Sequence, residues 1–160
     1  MAKPTTEQIS ALRLAIERET AAFALLVELL QEEQRALITA QPDGLPEIVT
    51  RKNRALDTAA GLDRERLGAM AAAGLPRDPR MAEMRLARHP LGAAFRRLRE
   101  LARNSRVLND LNGRLAGQKL KFVSARLDAL RGAAQRAGVY DASGRSGDAA
   151  GSTGRVIAAV

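Results

Sequence analysis

The sequence predicts an all-α protein: an antiparallel three-helix bundle or coiled coil of long helices, with a short extra helical segment in the second connection and a disordered C-terminal tail. Three observations predict it. Apolar residues recur at three- and four-residue steps through three long stretches, the spacing of one helix face. The breaks between those stretches fall in two tight clusters, Gln41-Pro42-Asp43-Gly44 and Gly74-Leu75-Pro76-Arg77-Asp78-Pro79. The 160 residues are 46% hydrophobic yet only 2% aromatic. Much of the apolar content is alanine, which favours helix and gives a thin core.

The first helix is expected over about 6–40. Thr6 and Glu7 give it a polar start with an acid near the positive end of the dipole. Its stripe is Ile9, Leu12, Ile16, Phe23, Leu26, Leu30 and Leu37. Glu19 and Glu33 interrupt that stripe, as edges of the seam or as partners for arginines elsewhere. The second helix is expected over 44–73, with Asp43 as its cap and Pro46 and Glu47 in the first turn. Leu45, Val49, Leu56, Leu62, Leu67 and Met70 form its apolar face, and Ala59 and Ala60 allow close approach. A short helix over 80–88 carries Met81, Met84 and Leu86 and ends at His89-Pro90.

The last helix is expected over 91–136, roughly 70 Å at 1.5 Å per residue. Its stripe runs Leu91, Phe95, Leu98, Leu101 or Ala102, Leu108, Leu111, Leu115, Phe122, Leu127 and Leu130. It outreaches its partners, so part of its seam is covered by 80–89 or stays open. Residues 138–160, with glycines at 138, 144, 147, 151 and 154, bury too little to offset ordering entropy. The expected organisation is a helical domain over 1–137 and a flexible tail over 138–160.

Composition narrows the function classes. Cysteine is absent, so there is no thiol nucleophile or thiolate metal site. No apolar run reaches the ~20 residues of a membrane span, and residues 1–7 lack the apolar core of a secretory signal. A cytoplasmic protein is expected. The net charge of +8 is uneven: residues 1–80 hold 11 Lys and Arg against 12 Asp and Glu, and residues 81–160 hold 15 against 6. The single histidine, His89, has no ligand set around it, and Glu32 and Glu33 diverge on a helix rather than converge. No phosphate-cradling loop is present. No catalytic residue, metal site, cofactor or small-molecule substrate is expected. The arginines of the last helix spread around its axis and no aromatic platform accompanies them, so a nucleic-acid-binding or general adaptor bundle ranks second to a protein-binding one.

Asn109, Asn112 and Gly113 are unusual inside a helix. They read either as tolerated defects or as a packing element, with Gly113 admitting a neighbouring helix and the amides bonding across the bundle. In Asn109-Asp110-Leu111-Asn112-Gly113, followed by an apolar helix and the turn Val139-Tyr140-Asp141-Ala142-Ser143-Gly144, the chain resembles the FlgN family of flagellar type III export chaperones. The run Leu25 to Leu37 and the pattern Leu45, Lys52, Leu56, Leu62, Arg66-Leu67 are also similar. Asp141 stands where the family's turn has glycine, and the last helix lacks a tryptophan that some relatives show.

The resemblance implies a chaperone that binds the amphipathic C-terminal helices of hook–filament junction proteins, prevents premature assembly and presents them to the cytosolic domain of the export gate. It implies membrane contact only through the export apparatus. It assigns gate docking to Tyr140 and client binding to the C-terminal region. There Leu115, Leu120, Phe122, Val123, Leu127 and Leu130 are the expected client surface. Leu115, Phe122 and Leu130 are expected nearer the intramolecular seam, with Leu120, Val123 and Leu127 to one side.

Overall fold

The computed structural model describes residues 4–39 and 44–139, with the side chains of 134–139 outside that description. Four helices are present: α1 (Thr6–Thr39), α2 (Leu45–Ala72), the short α3 (Pro79–Leu86) and α4 (Leu91–Val139). They comprise 34, 28, 8 and 49 residues. The last helix thus passes the expected end at 136 and includes Gly138. Asp43 and residues 140–160 lie outside the described residues.

The helix ends are set by local chemistry. Thr5, one residue before the expected start, caps α1 through a reciprocal box. Its Oγ1 accepts from the Gln8 amide (3.2 Å), and its own amide donates to Gln8 Oε1 (2.8 Å). The residue capping α2 is Gly44 in a left-handed conformation, with no side-chain cap. The α2 C-terminus closes in a Schellman motif. Gly74, at φ +68°, donates to Ala71 O, and Leu75 donates to Met70 O. Asp78 Oδ1 caps α3 by accepting from the Met81 amide (2.8 Å). His89 serves the start of α4, its Nδ1 accepting from the Leu91 amide (3.2 Å). Gly92 is forced by the tightness of that corner, because a Cβ there would lie 2.3 Å from Leu86 O.

The chain divides into two compact units, Met1–Gly117 and Gln118–Val160. Among the described residues, every buried one lies in the first unit. Within it, ion pairs fix α2 antiparallel to α1: Arg18 and Glu19 meet Glu65 and Arg66, while Glu32 and Glu33 meet Arg51 and Lys52. The early part of α4 runs parallel to α1. Phe95 and Leu98 share a core with Leu12 and Ile16, and Asn112 reaches Leu30 and Glu33. The larger core also takes Met70, Ala73, Ala82, Leu86 and Leu91. A smaller cluster of Leu26, Leu29, Leu30 and Ala55 lies further along α1, with Phe23 and Leu108 packed on it.

The seam includes polar rungs. On α1 the ladder Leu12, Ile16, Glu19, Phe23, Leu26, Leu30, Glu33 and Leu37 keeps alternating four- and three-residue steps, and both glutamates are buried. On α2 the facing ladder is Ile48, Lys52, Ala55, Ala59, Leu62, Arg66 and Met70, whereas Leu56 and Ala60 are exposed. The basic rungs meet the acidic ones. Lys52 Nζ donates to Glu33 Oε1 (2.6 Å) and Arg66 Nε to Glu19 Oε2 (2.6 Å). Each set is two heptads apart, so sliding α2 by one heptad would bury unpaired charges.

Candidate functional site

On α4 the buried ladder is Leu91, Phe95, Leu98, Ser105 and Asn112, with Ala102 and Asn109 half-buried between them. This differs from the wholly apolar stripe that the sequence predicts. Leu111 is exposed and Leu108 and Leu115 are half-buried, because polar Ser105 and Asn112 occupy the inward heptad positions. Asn112 is 2% exposed. Its Nδ2 donates to Leu30 O (2.8 Å) and to Glu33 Oε2 (2.9 Å), which joins α4 to the Lys52–Glu33 rung. Its Oδ1 is buried without a partner. Ser105 Oγ donates back to Ala102 O (2.9 Å).

Gly113 does not admit a neighbouring helix. It is exposed, and a Cβ added there meets nothing within 4 Å. The close approach expected of it is corrected here: at about 100° per residue, the position after an inward-facing Asn112 turns away from the seam. Asn109 is half-buried.

The second unit carries a different surface. Leu120, Phe122, Val123, Leu127 and Leu130 are between 47% and 69% exposed. Leu120, Val123, Leu127 and Leu130 follow one another at three- and four-residue steps and form one stripe of the helix. Phe122 falls outside that stripe, and the Arg126 guanidinium lies over its ring at 5.4 Å from the centroid. The expected division of the six therefore changes. Leu115 is half-buried in the first unit, while Phe122 and Leu130 are as open as their neighbours. Tyr140 lies outside the described residues.

In the register of α4 the open stripe is displaced from the buried ladder: Leu120 and Leu127 repeat the outward position of Gly113 at heptad steps, and Val123 and Leu130 repeat the half-buried position of Asn109. From Asn112 a step of four reaches exposed Ala116 and another reaches Leu120, after which the heptad alternation resumes. Lys119, Lys121, Arg126 and Arg131 stand around it. Among the described residues no helix is long and apolar enough to cross a membrane, and no cluster of three or more His, Asp or Glu could hold a metal ion.

Residues 1–147 match the family described as FlgN protein. The chain belongs to the FlgN family. That family is known as the flagellar export chaperone for the hook-associated proteins, and it is non-enzymatic. Comparison with curated proteins and with solved structures gives no match. Hook-associated proteins are accordingly the partners that FlgN membership implies.

Two features of this FlgN chain escaped the sequence reading. Lys52 and Arg66 belong to the α2 seam, and Ser105 to that of α4, where it joins Asn112, whose amide bonds across the bundle as one of the two sequence readings has it. The signal was present in their spacing: Leu91, Leu98, Ser105 and Asn112 repeat every seven residues, and Lys52 and Arg66 stand two heptads apart, as Glu19 and Glu33 do.

Proposed function

We propose that Leu120, Val123, Leu127 and Leu130 capture an amphipathic C-terminal helix of a hook–filament junction protein, keep it from premature assembly and carry it to the export gate from the cytoplasm. The observation that carries this reading is the exposed stripe itself. Four aliphatic side chains at heptad spacing stand open on a helix whose preceding turns bury the same pattern. An unassembled client helix exposes a matching apolar face, and the two associate by helix-in-groove packing. Full burial of each aliphatic side chain contributes about 1.5–3 kcal/mol. Association and ordering of the client offset part of that gain. No nucleotide or metal is required.

Substituting Val123, Leu127 and Leu130 together by Ser tests the surface. Capture of a junction-protein C-terminal peptide should weaken strongly, with the thermal midpoint of the first unit unchanged. A collapse of the helical signal would instead make these residues core. The gate contact is proposed at Tyr140 on the family resemblance. Tyr140→Ala should spare client binding and impair docking to the gate's cytosolic domain, and equal loss of both would contradict divided roles.

A further inference from the structure

The first unit holds a cleft of roughly 390 Å³. Its floor is apolar, built from Phe23, Phe95 and Leu98, and Arg99, Arg103 and Arg106 stand along one side. We propose that this cleft is a second docking site, for an acidic amphipathic segment of a partner protein, distinct from the stripe on 120–130.

The charge balance of the lining decides its sign. Both carboxylates in the cleft are spent on one cation. Arg66 donates from Nε to Glu19 and from Nη2 to Asp63, and its Nη1 reaches Met70 Sδ (2.9 Å). The same guanidinium lies 5.8 Å from the centre of the Phe95 ring. Arg66 is therefore internal structure rather than a free hand. Arg99 is held by Glu83 of α3. Arg103 and Arg106 are exposed, line the cleft, and have no acidic partner among the described residues. The lining thus keeps two unspent positive charges beside an apolar floor.

The spacing selects the ligand's shape. Arg99, Arg103 and Arg106 follow at four and three residues, so they form one row about 10 Å long on α4. A facing helix or turn with carboxylates at matching steps can pair with Arg103 and Arg106, the two unspent members of this row, while one leucine-sized side chain enters over Phe23 and Leu98. The walls are mostly the sides of helices, whose amides are committed to helical bonds; the start of α3 also lines the cleft, but Pro79 has no N–H and Asp78 Oδ1 already takes the Met81 amide, so the lining offers a phosphate no backbone cradle. Phe95 is 1% exposed and offers no face for a nucleobase to stack on. An acidic protein segment satisfies both the floor and the rim, and a phosphate satisfies only the rim.

The probe is a fluorescein-labelled helical peptide with one Leu flanked by Glu at three- and four-residue steps, titrated into the full chain. Its twin with Gln at every Glu is the control. Binding of the Glu peptide should fall roughly tenfold or more in Arg103→Glu/Arg106→Glu, whose exposed sites leave the helical signal intact. It should weaken with added salt, and the Gln twin should bind as poorly as the charge-reversed variant. Ala102→Trp, which fills the cleft without changing charge, should also abolish binding. The Val123, Leu127 and Leu130 to Ser variant should bind the peptide normally, so failure of this site and failure of the client stripe read out separately. Wild-type affinity in the charge-reversed variant, equal binding of the Gln twin, or loss only in the serine variant would overturn the proposal. Displacement of the peptide by inorganic phosphate or by a single-stranded oligonucleotide at matching concentration would overturn its choice of partner.

Discussion

The two stretches of α4 at 91–112 and 120–130 share a helix and a heptad spacing but differ in what covers them. The first buries Phe95 and Leu98 and inserts two polar rungs, Ser105 and Asn112, each with a bond inside the chain. The second is aliphatic at all four stripe positions and exposed at each. The contrast teaches that periodicity announces a face to be covered without naming the cover. Polar rungs do name it, because Asn112 finds Leu30 O and Glu33 in one register alone. A ladder without polar rungs tolerates more than one register, which suits a chaperone whose family serves several hook-associated proteins.

The largest effect separates the two stretches by stability. Phe95→Ala removes a fully buried ring from the larger core and should cost about 3–5 kcal/mol. Leu127→Ala, on the open stripe, should stay within about 0.5 kcal/mol of the parent. Urea midpoints of the two variants measure this. A comparable loss at Leu127 would place that side chain under cover and erase the distinction.

The next effect concerns the acidic rung of the first unit. Burial pushes the Glu19 carboxyl above its ordinary value; the Arg66 charge and hydrogen bond pull it back, and Asp63 adds to the rise. With the folded value above the unfolded one, the native state holds the proton more tightly. Glu19 therefore costs nothing below its unfolded value, and stability declines as pH rises through the folded value. Arg66→Met strips away both influences that lower it, so the folded value climbs further. The variant should lose about 3 kcal/mol at neutral pH, and the gap should narrow toward acid. Urea midpoints across that range check it, and a gap of constant size would mean that Arg66 acts through packing on Phe95 instead.

Helix number and order were legible because the Pro and Gly clusters at 41–46 and 74–79 interrupt otherwise unbroken periodicity. The boundaries moved by a few residues where a cap decided them, as with Thr5 and Gly44. The seam itself was only partly legible. A rule that counts apolar residues alone follows Leu111 outward and passes over Asn112, which is buried because a carbonyl and a carboxylate await it on α1. Likewise the apolar count places Leu56 on the inward face of α2, where Lys52 and Arg66 hold the seam, because their partners Glu33 and Glu19 lie far away in sequence. Four of the six residues expected at the client surface make up the open stripe, with Leu130, expected nearer the seam, as open as the rest. Phe122 carries the most apolar area of the six, yet its azimuth sets it apart from the four aliphatic positions.

The smallest effect sharpens the comparison on a single helix. Gly113 and Gly117 are four residues apart on α4, and an added Cβ meets nothing at either. Alanine at each should favour the helix by about 0.5–1 kcal/mol through chain entropy and propensity alone. Where the gain is felt should differ. Gly113 adjoins buried Asn112, so Gly113→Ala should raise the global urea midpoint. In residues 118–133 no side chain is buried, and opening there is expected to be local. Gly117→Ala should therefore slow amide exchange of 118–133 by up to about fivefold while the global midpoint moves less. Equal shifts in both measurements for both variants would show that the two stretches open together, and the covered and uncovered parts of α4 would then be one cooperative element.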